Sequence, residues 1–416
     1  MTQPQVTTDN SWKKRAFIFL FCQSISIFGT SLVQFAITWY ITLETNSGLY
    51  ATLVIVCGFL PTFFLSPFAG VWADRYNRKK IIILADGFVA ACTLGLAIAF
   101  MQGHRMIWLF LITVGLRAIG SAVQNPCVGA ILPDIVPQEK LTRMNGINSS
   151  IQSLIMLASP MLSGALLSVA DVEHILYIDV ATAVLAMVMM TLFLHLPKKK
   201  KTTASAGGAD YFGELKAGFA YIARHDFLRH MFLFSGAFMF LAAPAAFLTP
   251  LYTVRAFGSD VWRLTAVELA FAAGMMIGGV TMASWGGLKN RSHTMAVGFI
   301  GMGVFTVGLG LPVTFWVYSA FMLLCGTMLP VFNTAATVVL QEKIDPAFMG
   351  RVFGVMAMIG SSMMPMGMLV FGPLADVVPI QWMLLATGGL TAALGLLFLR
   401  CRSLIVAGKR IEGAEG

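Results

Sequence analysis

Four ionisable side chains lie inside long apolar stretches of the chain: Asp86, Arg117, Asp179 and Glu268. A charge in a bilayer interior is costly, so each marks a functional site by default. A membrane carboxyl can load and release a proton, whereas a guanidinium stays charged and needs a carboxylate or carbonyl beside it. The four are therefore candidates for proton coupling. Arg117 is the deepest, about half way through its apolar run. Asp86 follows Lys80 closely enough in sequence to lie ~9 Å from it along a helix, so a structural pairing with a nearby Arg or Lys competes with coupling. Asp179 and Glu268 stand near the outer ends of their runs, where a cap or an interfacial role competes in the same way.

A second constellation is the turn Gly70-Val71-Trp72-Ala73-Asp74-Arg75-Tyr76-Asn77-Arg78-Lys79-Lys80 between two apolar stretches. Such a cluster of charge cannot lie in hydrocarbon. Gly70 would let two helices approach closely, Asp74 can pair with Arg or accept from a helix N-terminus, and Asn77 suits a left-handed turn. Arg75, Arg78, Lys79 and Lys80 by themselves need only report which side of a membrane they face.

Amides on the apolar stretches, Gln23, Gln34, Gln124, Asn125, Asn148, Gln152 and Asn333, offer hydrogen bonds to a ligand in a cavity. The 26 Met and 32 Phe supply adaptable apolar surface, most of it for packing or lipid. That mixture suits an amphiphilic small molecule better than a sugar or a small ion. Ser159-Pro160-Met161-Leu162-Ser163-Gly164 places a proline kink among small residues, and Gly274-x-x-x-Gly278 and Gly350-x-x-x-Gly354 are signals of close helix packing. A Walker A sequence is absent, which argues against direct ATP drive.

The elements that must hold these residues follow from composition. With 57% hydrophobic residues over 416 positions, the chain exceeds the roughly 45–50% of soluble domains. At ~20 residues per span, apolar runs read at 16–43, 50–72, 81–102, 106–127, 145–169, 175–196, 227–252, 264–285, 294–311, 315–338, 350–374 and 380–400. The expected fold is an all-α membrane protein of twelve transmembrane helices in two pseudo-symmetric six-helix bundles. Residues 1–196 form the first bundle, 197–226 a cytoplasmic linker, and 227–416 the second bundle with a short basic tail. Phe212, Leu215 and Phe219 predict an amphipathic surface helix within 211–226.

Of the 28 Lys and Arg, only Arg105, Arg255 and Arg263 fall on the side opposite the N-terminus, and Arg117 lies in a span. The positive-inside rule then puts both termini in the cytoplasm. The formal charge of +9 thus reports topology and not nucleic-acid binding. The six cysteines show no metal-ligand spacing and predict neither a disulfide nor a metal site. A displacement of 208 positions aligns Asn125 with Asn333, Asp134 with Glu342, Arg143 with Arg351, Gly146 with Gly354 and Gly164 with Gly372, an internal repeat of the kind that transporters rocking about a midplane site use.

The spacing Gly70-x-x-x-Asp74-Arg75-x-x-Arg78-Lys79 resembles the signature loop of the major facilitator superfamily. Gly58-Phe59-Leu60-Pro61, Ala85-Asp86, Arg117-Ala118-Ile119-Gly120, Val136-Pro137-Gln138-Glu139, Glu268-Leu269-Ala270-Phe271, Gln341-Glu342-Lys343-Ile344 and Gly350-Arg351-Val352-Phe353 are similar to its macrolide-efflux branch. The resemblance implies the major facilitator fold and proton-driven export of hydrophobic drugs from the bacterial cytoplasmic (inner) membrane. It also implies a conformational latch at Gly70, Asp74, Arg75, Arg78 and Lys79, and an Arg117 that helps a neighbouring acid release its proton. Pro160 and Gly164 resemble an exporter-associated motif of helix 5, with Ser159 and Ser163 standing for glycines. The expected partners are an amphiphilic substrate, protons and lipid. No cofactor, metal, enzymatic activity or nucleic acid is expected, and the chain is expected to act as a monomer. Export of an endogenous siderophore or peptide metabolite, and a transport-inactive scaffold or sensor, are the competing readings.

Overall fold

A computed structural model describes residues 11–194, 211–345 and 348–409. In hydrocarbon a helix satisfies every backbone N–H and C=O within one segment, so long apolar runs fold that way. The helices are α1 (Ser11–Thr45), α2 (Gly48–Arg75), α3 (Arg78–Met101), α4 (Ile107–Ile135), α5 (Gln138–Val169), α6 (Val172–Phe193), α7 (Tyr211–Arg224), α8 (Asp226–Phe247), α9 (Thr249–Phe257), α10 (Val261–Trp285), α11 (Arg291–Gly310), α12 (Phe315–Lys343), α13 (Met349–Leu374), α14 (Ile380–Arg400) and α15 (Arg402–Ala407). Twelve spans long and apolar enough to cross a bilayer occur among the described residues, α8 and α9 together making one of them. Several helices outlast their apolar runs. Thus α4 and α12 continue to Ile135 and Lys343, because helix persists where the chain leaves hydrocarbon.

The charged turn is shorter than the sequence suggests. Helix α2 runs through Asp74 to Arg75, leaving Tyr76 and Asn77 as the link to α3. Asn77 is extended (φ −70°, ψ 107°), not left-handed, and caps α3 by accepting from the Lys80 N–H at 3.3 Å. An N-terminal cap satisfies an orphan donor that a left-handed residue would leave bare. Gly70 has open space where a side chain would project, so it serves no close helix contact here. The same holds for Gly354 of the second expected packing motif.

Gly274 and Gly278 do pack closely. A side chain at either would overlap the carbonyl of Leu323 or Thr327 on α12. The α11 and α14 helices meet through Gly303 and Gly388, where an added Cβ on Gly388 would stand 2.6 Å from the Val307 nitrogen and 2.8 Å from the Gly303 carbonyl. Small residues let membrane helices gain dispersion contacts that lipid cannot supply.

Helix α7 packs on the N-terminal end of α13: Tyr221 stacks on Phe348 at 4.4 Å, and Gly218 lies against the Arg351 backbone. Its face toward the protein is Gly218 and Ile222, while Phe219 is exposed. Phe212 and Leu215 have side chains outside the described residues, as does the linker over 195–210.

The chain divides into two compact units, Met1–Ile37 with Leu60–Gly208 and Thr38–Phe59 with Ala209–Gly416. The tip of the α1–α2 hairpin therefore groups with the C-terminal helices. Asp376 is the physical reason: it accepts from the Gly48 and Leu49 N–H groups (2.7 and 3.0 Å), the Ser47 hydroxyl (2.8 Å) and Arg255 (3.0 Å). Arg255 also donates to the Asn46 carbonyl at 2.7 Å. Partial burial alone would push the Asp376 carboxyl up, but the donors from Gly48, Leu49, Ser47 and Arg255 together hold it below the usual carboxylate range.

Two outcomes follow from this packing. Gly388→Leu should lower the stability of the purified protein by about 1–3 kcal/mol through overpacking, while the same change at its neighbour Gly389, which faces open space, should leave the melting temperature nearly unchanged. Because the Asp376 carboxyl is depressed, its contribution is present above the unfolded value of about 3.9 and is lost only as pH falls through the lower folded value. Labelling of a cysteine placed at Asn46, taken relative to a fully exposed reference cysteine so that thiol ionisation cancels, should thus stay constant from about pH 5 to 8 and rise in Asp376→Ala.

Candidate functional site

The first unit holds a ladder of polar groups between α3 and α4. Asp86 and Thr93 stand seven residues apart on α3, as do Arg117 and Gln124 on α4. Seven residues is close to two turns, so each pair shares a helix face. The helices run antiparallel, and Thr93 meets Arg117 while Asp86 meets Gln124. A side chain on Gly120 would collide with Val89, so this glycine sets the close approach that the ladder needs.

At one rung Arg117 is 5% exposed and forms a salt bridge with Asp179 of α6, itself 1% exposed. Arg117 also donates to the Thr93 hydroxyl and, at 3.4 Å, to the Thr30 carbonyl on α1. Thr93 can donate to Asp179 at 3.2 Å. Helix α1 comes this near because residue 29 is glycine: any side chain there would overlap the Thr182 hydroxyl, beside Asp179. The guanidinium thus gains both the carboxylate and the carbonyl that burial demands. Asp179, for which the sequence left proton coupling and a cap or interfacial role both open, is the buried partner of Arg117.

At the other rung Asp86, 5% exposed, accepts from Ser26 of α1 at 2.8 Å and from Gln124 at 2.9 Å. Its partners are neutral donors rather than the Arg or Lys that one sequence reading allowed, and no described cation pairs with it. Gln23, one turn from Ser26, is buried with its carbonyl oxygen unpartnered. Glu268 lies in the second unit, half-buried on α10.

The charged turn is anchored by its bases. Arg78 donates to the Ala73 and Ala130 carbonyls, both at 2.9 Å, and forms a salt bridge with Asp134. Lys79 donates to the Thr191 and Leu194 carbonyls at 3.1 and 2.7 Å, where the C-terminal end of α6 favours positive charge. Arg75 is exposed, and the side chain of Asp74 lies outside the described residues. The second unit repeats the device, as Asn290 caps α11 and Arg291 bonds Glu342 at 2.8 Å.

The remaining sequence candidates are dispersed. Gln34, Asn125 and Asn333 are exposed and Asn148 and Gln152 half-buried. Pro160 and Gly164 are buried within α5, which continues through the proline. The hydroxyls of Ser159 and Ser163 are buried without a partner among the described groups. Sequence reading missed Ser26 and Thr93, although the seven-residue spacing from Asp86 to Thr93 was there to be seen.

Twelve spans in two six-helix bundles, with buried charge concentrated on α3, α4 and α6, define a multi-pass membrane transporter rather than an enzyme. The Major Facilitator Superfamily model matches residues 19–368, and the chain belongs to that family. Macrolide efflux protein A of Streptococcus pyogenes is 30% identical over 389 residues, covering 93% of this chain and 96% of the relative. The protein of that name from Enterococcus faecalis is 32% identical over 313 residues, 75% of this chain and 96% of the relative. In fold the chain is similar to a crystal structure of a mutant form of the nucleoside transporter NupG, with TM-score 0.71 at 14% identity over 94% of this chain and 99% of the other.

Removing one member of the buried pair strands the other. Arg117→Ala or Asp179→Ala alone should cost about 3–5 kcal/mol, read as lost thermal stability in detergent. The double variant should recover a large part of that loss; a fully additive double variant would mean that the two charges do not interact.

Proposed function

We propose that the chain is a secondary active exporter of amphiphilic, macrolide-like compounds across the bacterial cytoplasmic membrane, driven by proton antiport. The observation that carries the reading is the two-rung ladder. One buried carboxyl, Asp179, is committed to a guanidinium, while another, Asp86, has only neutral donors and is free to change charge. Both donors reach the same oxygen, Oδ1, so a proton taken up on Oδ2 removes the charge that strengthens the Ser26 and Gln124 contacts from α1 and α4 and adds a donor that needs an acceptor. That links proton loading to the positions of two helices. Arg117 and Asp179 act as the positioning pair that keeps α3, α4 and α6 in register.

The similarity to Macrolide efflux protein A supports the substrate class, and the apolar, Met- and Phe-rich composition suits an amphiphile. By the positive-inside rule the basic ends of the helices face the cytoplasm, with both termini there. The Asp74 turn is assigned the latch that closes the cytoplasmic side. No cofactor is needed, since the proton gradient supplies the energy.

Proteoliposomes holding a pH gradient test the reading. Erythromycin should release protons through the wild-type protein. Asp86→Asn should bind erythromycin within a few-fold of wild type yet lose proton release on the order of 100-fold, the loss expected when a positioned proton carrier is removed. Proton release at the wild-type rate from Asp86→Asn would overturn the assignment, and Glu268→Gln would be examined next as the carrier.

A further inference from the structure

A groove of about 780 Å³ runs between α1 and α5 within the first unit, apart from the polar ladder. Its mouth carries Lys13, Lys140 and Arg143, and its wall continues as Phe17, Phe21, Ile147 and Ile151. On α1 the lining runs from Lys13 to Ser24, and on α5 from Lys140 to Ile151. From first to last residue each stripe rises ~16 Å along its helix, against ~15 Å for one leaflet of a bilayer core. Cations occupy one end of each stripe, and apolar side chains follow toward the membrane interior. The Ser24 hydroxyl at the deep end is satisfied by the Leu20 carbonyl, so it asks nothing polar of an occupant.

The three cations have no acid partner among the described residues, and no described acid lines the groove. Arg78 and Arg291, at other helix ends, are each salt-bridged to a carboxylate. Lys13 lies over the Trp12 ring at 6.0 Å, which orients it without neutralising it. Helix α5 begins after Pro137 without a side-chain cap, so its first N–H groups add positive potential beside Lys140. Phe17 is 69% and Phe21 44% exposed, with their rings stacked at 6.1 Å. An apolar wall one leaflet long below three cations that no described acid pairs matches an anionic head joined to an acyl chain.

We propose that the α1–α5 groove is a binding site for an anionic phospholipid of the leaflet on the basic side, with its phosphate among Lys13, Lys140 and Arg143 and an acyl chain along Phe17, Phe21, Ile147 and Ile151. The site stands independently of the substrate reading above, since it uses neither Asp86 nor Arg117.

Native mass spectrometry of the full-length protein tests this, after reconstitution in dioleoyl phosphatidylcholine containing dioleoyl phosphatidylglycerol. Wild type should retain phosphatidylglycerol in preference to phosphatidylcholine. Each of Lys13→Gln, Lys140→Gln and Arg143→Gln should weaken retention roughly fivefold, and all three together on the order of 100-fold. The same charge removed at the exposed Lys289, Lys343 and Arg402 should leave retention nearly unchanged. Soluble glycerophosphoglycerol should not displace the lipid. Equal retention of the two lipids by wild type overturns the site whether or not the triple variant folds. Equal loss in the control variant reduces it to general surface charge, and displacement by the free headgroup reduces it to a phosphate site; either result also overturns the proposal.

Discussion

A guanidinium in the middle of an apolar layer must be surrounded by acceptors, and much of the first bundle is arranged to meet that demand. Arg117 draws Asp179 from α6, Thr93 from α3 and the Thr30 carbonyl from α1 into contact. Four helices are thereby tied at one depth. Gly29 and Gly120 belong to the same solution, because a methyl group at either position would push the acceptors away. The pairing also decides what the other carboxyl can do. With Asp179 committed, Asp86 is left among neutral donors, where its charge is held by hydrogen bonds instead of by a countercharge. The difference between the two acids therefore comes from their neighbours and not from their type or depth.

The spans, the glycine contacts of α10 with α12 and the burial of charge at Asp86 and Arg117 were legible in the sequence, because each is a local property: apolar run length, small-residue spacing, a charge among apolar residues. Who pairs with whom was not. Asp179 lies far from Arg117 in the chain, and the choice between Asp179 and Asp86 as its partner depends on how α6 packs against α3. Gly70 shows the opposite failure, a residue whose spacing suggests a helix contact that the structure does not make. Asn77 was right as a special backbone position and wrong in kind, since an asparagine can end a turn or start a helix and the two uses look alike in sequence. The seven-residue echo on α3 and α4 was the one long-range feature with a readable trace.

The two halves share a framework and divide their chemistry. In both, an asparagine caps the helix after the basic turn and the following arginine reaches an acid at the end of the next helix, Arg78 to Asp134 and Arg291 to Glu342. The halves differ at their centres. Where the first has the charged ladder, the second packs Phe299 against Phe238, Phe332 and Phe398, with ring centroids 4.8–5.4 Å apart. Aromatic edges and faces hold helices without demanding a countercharge. Such a core gains nothing by changing protonation, so it suits a rigid body.

Charge on the two membrane sides follows the same economy of pairing. Arg105, Arg255 and Arg263, the three bases opposite the N-terminus, each meet an acid: Glu173, Asp376 and Asp260. Cations on that side are thus neutralised locally and add little to the net field. On the basic side Arg78 and Arg291 are paired in the same way, whereas Lys13, Lys140 and Arg143 have no such partner among the described residues. Orientation in a membrane follows the Lys and Arg count near the span ends, with little regard to acids beside them, whereas anionic lipid responds to the net charge within a Debye length. The count of bases therefore orients the chain, while their pairing bears on the preference of the basic face for negative headgroups.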